Sequence, residues 1–402
     1  MPPSITICCQ LFYPELISTG QTITELAQAL AAKRVRISVL CAQPSLLSTD
    51  KLPADMTLDP ITIRRLPSTR FSKSCLLGKL CNHVTFGVSL MLHLLKSREK
   101  GPLMVLTNPP FLLGCVGLVA WIRRRRLILV MFDLYPDTAI ACGFLNAKGL
   151  LAKIWRRFNQ LGYHKASHIV VLGRCMASVL KPQLHQKDQA KLRIIPIWSH
   201  DATQKQPVFP NPYRQKWGLE EKFVVLYSGN MGRFHDMETL IEASILLKNE
   251  PHIRIVFVGH GHKRSLVSQD SHVYDHVPQD ELPNLLACAD VGLVSLMPQQ
   301  LGLSVPSKTV GLLTAGVPVI AVIPPCAEMA QVLVENNCGW VVKNGEAAIL
   351  ANLIRALSKN KKEVETKKSQ ALLTAKRLFS LSDIADAYME LFDIPWYNQE
   401  DS

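Results

Sequence analysis

Arg233, His235 and Lys308 are the side chains whose types and positions could meet a concentrated negative charge. The first two lie in the stretch FVVLYSGNMGRFHD, residues 223–236. Phe223–Tyr227 is rich in β-branched, aromatic and apolar residues, Gly229 and Gly232 make a loop, and an amphipathic segment begins at Asp236. A loop at the carboxyl end of a strand in an open α/β sheet is where ligands bind. The helix that follows it offers free N–H groups and a positive dipole end to an anion. Arg233 and His235 have no acidic neighbour before Asp236, so two potential cations stand where a phosphate would sit. Lys308 follows Pro306-Ser307 at the start of another helical segment, where the dipole disfavours a cation unless something negative lies in front of it. Asp133 opens the polar turn Asp133-Leu134-Tyr135-Pro136-Asp137, just past the apolar run Leu127–Phe132. The plainer alternatives are a βα turn with Arg233 in solvent, a helix cap at His235, a solvated lysine at 308, and an aspartate that only orders its turn.

The elements that must position these groups alternate along the chain. Ser4–Gln10 reads as a strand, Leu11–Thr19 as a loop, and Gly20 opens a helix with Ile23, Leu26, Ala27 and Leu30 on one face. Strands follow at Val35–Cys41 and Ile61–Leu66. A dinucleotide fold would need three glycines at the first turn and an acid after the second strand; Gly20 stands alone and Ala42-Gln43 ends the strand. Later elements are the strands Leu127–Phe132, Ser167–Leu172 and Leu192–Ile195, with helices Leu150–Lys165 and Cys175–Lys181 between them. Pro196–Pro212 is a polar, proline-rich linker. The second half runs as strand Phe223–Tyr227, helix Asp236–Lys248, strand Ile253–Gly259, a helix to Ser268, strand Val273–His276, and helix Asp280–Ala287. Strand Val291–Ser295, helix Ser307–Ala315, strand Pro318–Val322 and helices from Cys326, Glu346, Lys361 and Ser382 complete it. Such alternation predicts parallel sheets covered by helices, and the linker predicts two of them. The expected fold class is α/β, with two Rossmann-like domains whose parallel sheets face each other across a ligand-binding cleft.

Composition bounds the rest. With 402 residues, 48% of them apolar, the chain is long enough for two domains, and disorder is excluded. The charge of +13 is uneven, since residues 1–200 hold 26 Lys/Arg against 9 Asp/Glu and the remainder 19 against 23. A basic first half predicts an anionic surface as its partner. Eleven cysteines without zinc-like spacing read as reduced, buried and cytosolic. The N-terminus enters a strand without a leader pattern.

Two segments test for a membrane span. In Lys73–Arg98, sixteen uncharged residues separate Lys79 from Lys96, fewer than the ~20 apolar residues a span needs, and Asn82, His83 and His93 interrupt them. It reads as an amphipathic helix that lies on something. Gly101–Ile122 carries no charge and precedes Arg123–Arg126, but Asn108-Pro109-Pro110 divides it into a buried strand and a helix too short to span. Lys73–Arg98, the Arg123–Arg126 cluster and Leu150–Lys165 together predict peripheral binding to an anionic leaflet.

Several blocks, taken in order, carry a resemblance: FYPELISTGQTITELAQAL, the Asp133–Asp137 turn, SHIVVLGRCMASVL, IIPIW, YSGNMGRFHDMETLIEA, FVGHGHKR, LPNLLACADVGLVSL and VPSKTVGLLTAGVPVIA. The chain resembles the family-four retaining glycosyltransferases of GT-B fold, of the colanic-acid and exopolysaccharide-biosynthesis type. The similarity covers nearly its whole length and is most specific over Val305–Ala321. The resemblance implies metal-independent transfer of a sugar from a UDP- or GDP-sugar to a polyprenyl-linked sugar or glycan acceptor, at the inner face of the cytoplasmic membrane. It divides the chain into an acceptor- and membrane-facing domain at residues 1–197, a nucleotide-sugar domain at 198–380, and a C-terminal helix at 381–402 that packs back on the first. It implies donor-binding roles for Gly20, Gly229, Asn230, Gly232, Gly259, Gly261, Val277 and Ser307, and catalytic roles for Asp133, Arg233, His235 and Lys308. Where relatives carry two glutamates eight residues apart, this chain has Leu303 and Gly311, and Ser307 and Lys308 stand in that region instead.

The chemistry is consistent with these residue types. Breaking a sugar–diphosphate bond develops negative charge on the leaving group, which preorganised cations and N–H dipoles stabilise. No Asp-x-Asp pair occurs, so neither a divalent clamp nor another cofactor is expected. Two other readings are a nucleic-acid-binding protein, for which no aromatic-interleaved basic strand is present, and a non-catalytic solute binder.

Overall fold

The computed structural model describes residues 3–15, 18–44, 51–71, 76–199, 206–267 and 272–393. The expected helix start at Lys73, the helix end at Ser268, linker residues 200–205 and the tail beyond 393 lie outside them. The chain divides into two compact units, Met1–Pro196 with Leu381–Ser402, and Ile197–Ser380.

The first unit is built on eight strands: β1 (Ser4–Cys8), β2 (Arg36–Cys41), β3 (Asp55–Leu58), β4 (Ile61–Arg65), β5 (Leu103–Leu106), β6 (Leu127–Met131), β7 (His168–Val171) and β8 (Leu192–Ile194). Their order is β3-β4-β2-β1-β5-β6-β7-β8. β5 and β6 are buried at every position, as continuous apolar runs must be when helices cover both faces. Every pairing is parallel except β3 with β4, where Asp55 pairs with Arg64 across a hairpin. That edge strand is missing from the sequence reading because Asp55-Met56-Thr57-Leu58 is short and half-exposed, too weak a pattern to register.

The uncharged stretch 101–122 resolves into β5 and the helix Leu112–Ile122. Gly114 and Gly117 in that helix and Gly162 in the helix Leu150–Lys165 allow a close crossing. A Cβ on Gly117 would stand 2.6 Å from the Gly162 Cα. Among the described residues no helix is long and apolar enough to cross a membrane. The final helix, Leu381–Leu391, packs on the helix Ser18–Ala32, and Lys33 pairs with Asp386 at 2.6 Å.

The second unit holds six parallel strands: β9 (Phe223–Ser228), β10 (Ile253–Val258), β11 (His272–Tyr274), β12 (Val291–Ser295), β13 (Val319–Val322) and β14 (Gly339–Val342), in the order β11-β10-β9-β12-β13-β14. Both units are thus parallel-sheet, Rossmann-like α/β domains. In each, the order reverses beside the first strand, between β1 and β5 and between β9 and β12. That reversal opens the crevice where open α/β sheets bind ligands.

Several local expectations are corrected. The segment after Gly259 forms only a 3₁₀ turn, Arg264–Leu266, where a helix was expected, because Gly259 and Gly261 before it hold positive φ values outside the helical range. The linker ends in a helix, Pro212–Trp217, which Asn211 caps by accepting from Tyr213 and Arg214 N–H. The cysteines are not uniformly buried: Cys8, Cys9, Cys41, Cys288 and Cys338 are, but Cys81 and Cys326 are exposed. The four arginines 123–126 do not form one surface cluster. Arg125 is buried and donates to the Gly101 carbonyl at 2.7 Å and Thr6 Oγ1 at 2.8 Å, while Arg126 pairs with Asp393. Two of the four therefore tie the sheet and the final helix together, leaving Arg123 and Arg124 exposed.

Candidate functional site

The loop after β9 lies at the reversal of the second sheet and is fixed from two sides. On one side it is stitched to the loop after β10, with Met231 N–H donating to the His260 carbonyl at 2.7 Å and Lys263 N–H to the Met231 carbonyl at 2.9 Å. Gly259 and Gly261, at φ +131° and +146°, make this approach possible. A Cβ on Gly259 would overlap the Gly229 carbonyl oxygen, and one on Gly261 would come within 2.6 Å of Asn230 Oδ1. On the other side the loop meets the end of β12, where Met297 N–H donates to the Phe234 carbonyl at 2.7 Å. Asp236 caps the helix Met237–Leu246, accepting from Thr239 N–H and from Asn344 Nδ2.

Lys308 begins the helix Lys308–Thr314 and reaches back to this loop. Its Nζ donates to the Tyr227 hydroxyl at 2.7 Å and to the Asn230 carbonyl at 3.3 Å, and lies 4.0 Å from the Tyr227 ring centroid. Gly229 leaves room for it, since a Cβ there would touch the ammonium at 3.5 Å. Among the described residues no carboxylate pairs with Lys308. Burial therefore lowers its pKa to about 7. A half-buried ammonium held only by neutral oxygens is a place where an anion would be stabilised.

His235 is not the cation the sequence suggested. Its Nδ1 donates to the Ser295 carbonyl at 2.8 Å, so the ring is held as one tautomer with Nε2 as an acceptor. Burial, then the neighbouring ammonium of Lys308, lowers its pKa to about 4. It is neutral at pH 7 and does not cap the helix, a role Asp236 fills. Of the first-turn N–H groups beyond Ser307, those of Thr309 and Val310 are not free for an anion. Thr309 N–H donates to the Pro306 carbonyl and Val310 N–H to that of Ser307 because Ser307 is itself helical and tightens the turn. Arg233 is exposed and has no hydrogen bond or ion pair among the described residues. Gly232 shares the loop with it, and Val277 lies half-buried in the loop after β11.

In the first unit, Gly20 lies in the first turn of the helix Ser18–Ala32. It is buried, and a Cβ would meet the Glu15 carbonyl at 3.0 Å. Asp133 stands past β6 with its N–H directed to Thr107 Oγ1 at 3.3 Å. Its carboxylate accepts no hydrogen bond among the described residues, and burial raises its pKa to about 6. A cavity of about 200 Å³ opens at the reversal between β1 and β5, lined by Gln10, Gln43, Lys79, Asn82, His83 and Asn108 among others.

Residues 222–360 match the family model for glycosyl transferases group 1, and residues 19–198 match the glycosyl transferase 4-like domain. Both models describe glycosyl transferases. It is 30% identical over 263 residues to the probable glycosyltransferase WbjE of Pseudomonas aeruginosa, covering 62% of this chain and 64% of WbjE. It is 24% identical over 335 residues to the putative colanic acid biosynthesis glycosyl transferase WcaI of Escherichia coli, covering 76% of this chain and 79% of that one. The solved structure of Anabaena HepE in complex with UDP-glucose shares its fold, with a TM-score of 0.70 and 17% identity over 97% of this chain and 99% of that one.

Sequence reasoning missed two residues of this site. Tyr227 counts as one more apolar residue in the β9 pattern, and only its polar tip at the strand's end could have marked it. Lys263, which donates to the His235 carbonyl at 2.8 Å and pairs with Glu238, is separated from both by more than twenty residues and has no local signature.

Proposed function

We propose that this chain transfers a sugar, with retention, from a UDP- or GDP-sugar to a lipid-linked or polysaccharide-precursor acceptor in exopolysaccharide or cell-envelope assembly. The observation that carries the reading is Lys308, a half-buried ammonium without an acidic partner among the described residues, beside a glycine-shaped loop at a sheet reversal. In this reading Lys308 and Arg233 meet the donor diphosphate, Ser307 and the Gly229–Gly232 and Gly259–Gly261 loops bind the nucleotide-sugar, and Val277 lines the base. His235, being neutral, accepts a hydrogen bond at Nε2 from a donor hydroxyl. Asp133 and Gly20 keep the donor-related roles that the resemblance implies. The anomeric carbon loses its bond to the diphosphate oxygen and gains one to the acceptor oxygen on the same face, while the acceptor proton passes to the departing phosphate oxygen. The solved complex of HepE with UDP-glucose supports the donor class, WbjE the glycosyl transfer, and WcaI, named for colanic acid biosynthesis, the pathway type. A screen of UDP- and GDP-sugars, scored by nucleotide release with acceptor glycolipid extracts, tests it. Release from at least one donor is expected to survive EDTA. Silence with every donor, or loss with EDTA restored by Mn²⁺ or Mg²⁺, overturns the reading or its metal independence respectively.

We place the enzyme peripherally on an anionic membrane surface. The helices Leu76–Lys96, Leu112–Ile122 and Leu150–Lys165 lie in sequence against one another. Leu77, Leu80, Val84, Val88 and Leu92 are exposed at helical spacing on the first, and Trp121 and Leu150 stand out on the others. Arg123, Arg124, Lys153 and Arg157 supply the charge, each contributing about 1 kcal/mol near an anionic leaflet. Co-sedimentation with phosphatidylglycerol vesicles is expected, weakening at 1 M salt, where the Debye length is about 3 Å. Equal binding to neutral vesicles would contradict the electrostatic part. The cavity between β1 and β5, rich in amide groups and holding Lys79, suits the polar head of the acceptor.

A further inference from the structure

Tyr227 is buried at the end of β9, where it packs on Phe257 with ring centroids 6.1 Å apart and meets the edge of the His235 ring at 6.4 Å. Its hydroxyl is fixed in direction, because it donates to the Asn230 carbonyl at 2.8 Å, which leaves its lone pairs to Lys308 Nζ at 2.7 Å. We propose that Tyr227 is the positioning residue of the donor site, a neutral clasp that holds the Lys308 ammonium aimed at the loop without offering it a counter-charge. This rests on the placement of the donor diphosphate at Lys308.

The physical reason for a phenol here lies in what the alternatives would do. A carboxylate at the same point would pair with Lys308 and compete with the incoming diphosphate, and an apolar ring would leave a flexible four-carbon stem free to turn away. Burial raises the Tyr227 pKa, so the hydroxyl stays protonated and neutral throughout the working range. The titratable groups that face the ammonium are Tyr227 and the neutral His235, and Lys263, one step further, is already paired with Glu238. Diphosphate binding therefore supplies the first negative charge that Lys308 meets.

Tyr227→Phe keeps the ring and its packing and removes the clasp alone. We expect kcat/KM for the donor to fall about tenfold, with most of the change in KM. The loss of an acceptor for the charged form should also lower the Lys308 pKa. Reactivity of Lys308 toward an acylating reagent, followed by mass spectrometry against pH, should then rise at lower pH than in wild type, a readout independent of turnover. On a Lys308→Ala background, Tyr227→Phe should cost nothing more. If Lys308→Ala retains wild-type turnover, the placement of the diphosphate fails. If Lys308→Ala is impaired while Tyr227→Phe leaves both KM and the labelling curve unmoved, the clasp is refuted and the donor site stands. Equal additional losses on both backgrounds would likewise make Tyr227 a packing residue only.

Discussion

Lys308→Ala is expected to release nucleotide on the order of a hundred- to a thousand-fold more slowly than wild type while melting at nearly the same temperature. Removing one preorganised donor from a developing oxyanion costs ~2.7–4 kcal/mol in closed sites, which sets that range. Stability should be spared because the ammonium is held at a cost. Its folded pKa, about 7, lies below the ordinary 10.5, so its burial penalty is fully present below pH 7 and is relieved as pH rises toward 10.5. Removing it takes away no net electrostatic support at neutral pH. Turnover has the opposite dependence, since only the protonated amine meets the diphosphate. In wild type, kcat/KM should decline as pH rises through about 7, the value in the free enzyme. The decline in kcat should come at higher pH, because bound diphosphate favours the charged form. Lys308→Arg should recover little, as Gly229 leaves room for a compact ammonium and a planar fork would press against that loop. Wild-type turnover in Lys308→Ala, on a donor found by the screen, would show that the diphosphate lies elsewhere.

Gly259→Ala is expected to be the most damaging single-methyl change in the second unit. At φ +131° an alanine is strained wherever its Cβ points, and here it points into the Gly229 carbonyl, so the two loops must separate. Strain of this kind costs of order 1–3 kcal/mol, and overpacking adds a similar amount. The hydrogen bonds from Gly229 N–H to the Val258 carbonyl and from Met231 N–H to the His260 carbonyl would lengthen with them. We expect a fall of several degrees in Tm together with loss of nucleotide release, and a weaker effect for Gly345→Ala, a left-handed glycine with open space around it. A Gly259→Ala variant with wild-type Tm and turnover would mean that the loops are not held at this distance in solution.

The alternation of strands and helices was legible in the sequence by itself, because a strand buried on both faces must be written as an unbroken apolar run and a helix as a 3.6-residue period. The same holds for the strand–glycine–helix unit at 223–236, whose chemistry follows from backbone geometry that only a few residue types permit. The uncharged stretch 101–122 was legible too, since Asn108-Pro109-Pro110 interrupts any continuous helix. What the tertiary structure decided is the charge and direction of each polar group. His235 and Arg233 are near neighbours in the chain, yet one is neutral and the other is exposed, a difference created by burial of the ring and, after it, by the ammonium of the distant Lys308. Arg123–Arg126 are consecutive, yet Arg125 turns inward to the oxygens of Thr6 and Gly101 while Arg126 pairs at the surface with Asp393. Lys308 receives its partner from β9, eighty-one residues earlier. A pKa or a hydrogen bond depends on which distant residues exclude water from a group and which oxygens they bring to it, and those pairings have no period along the chain.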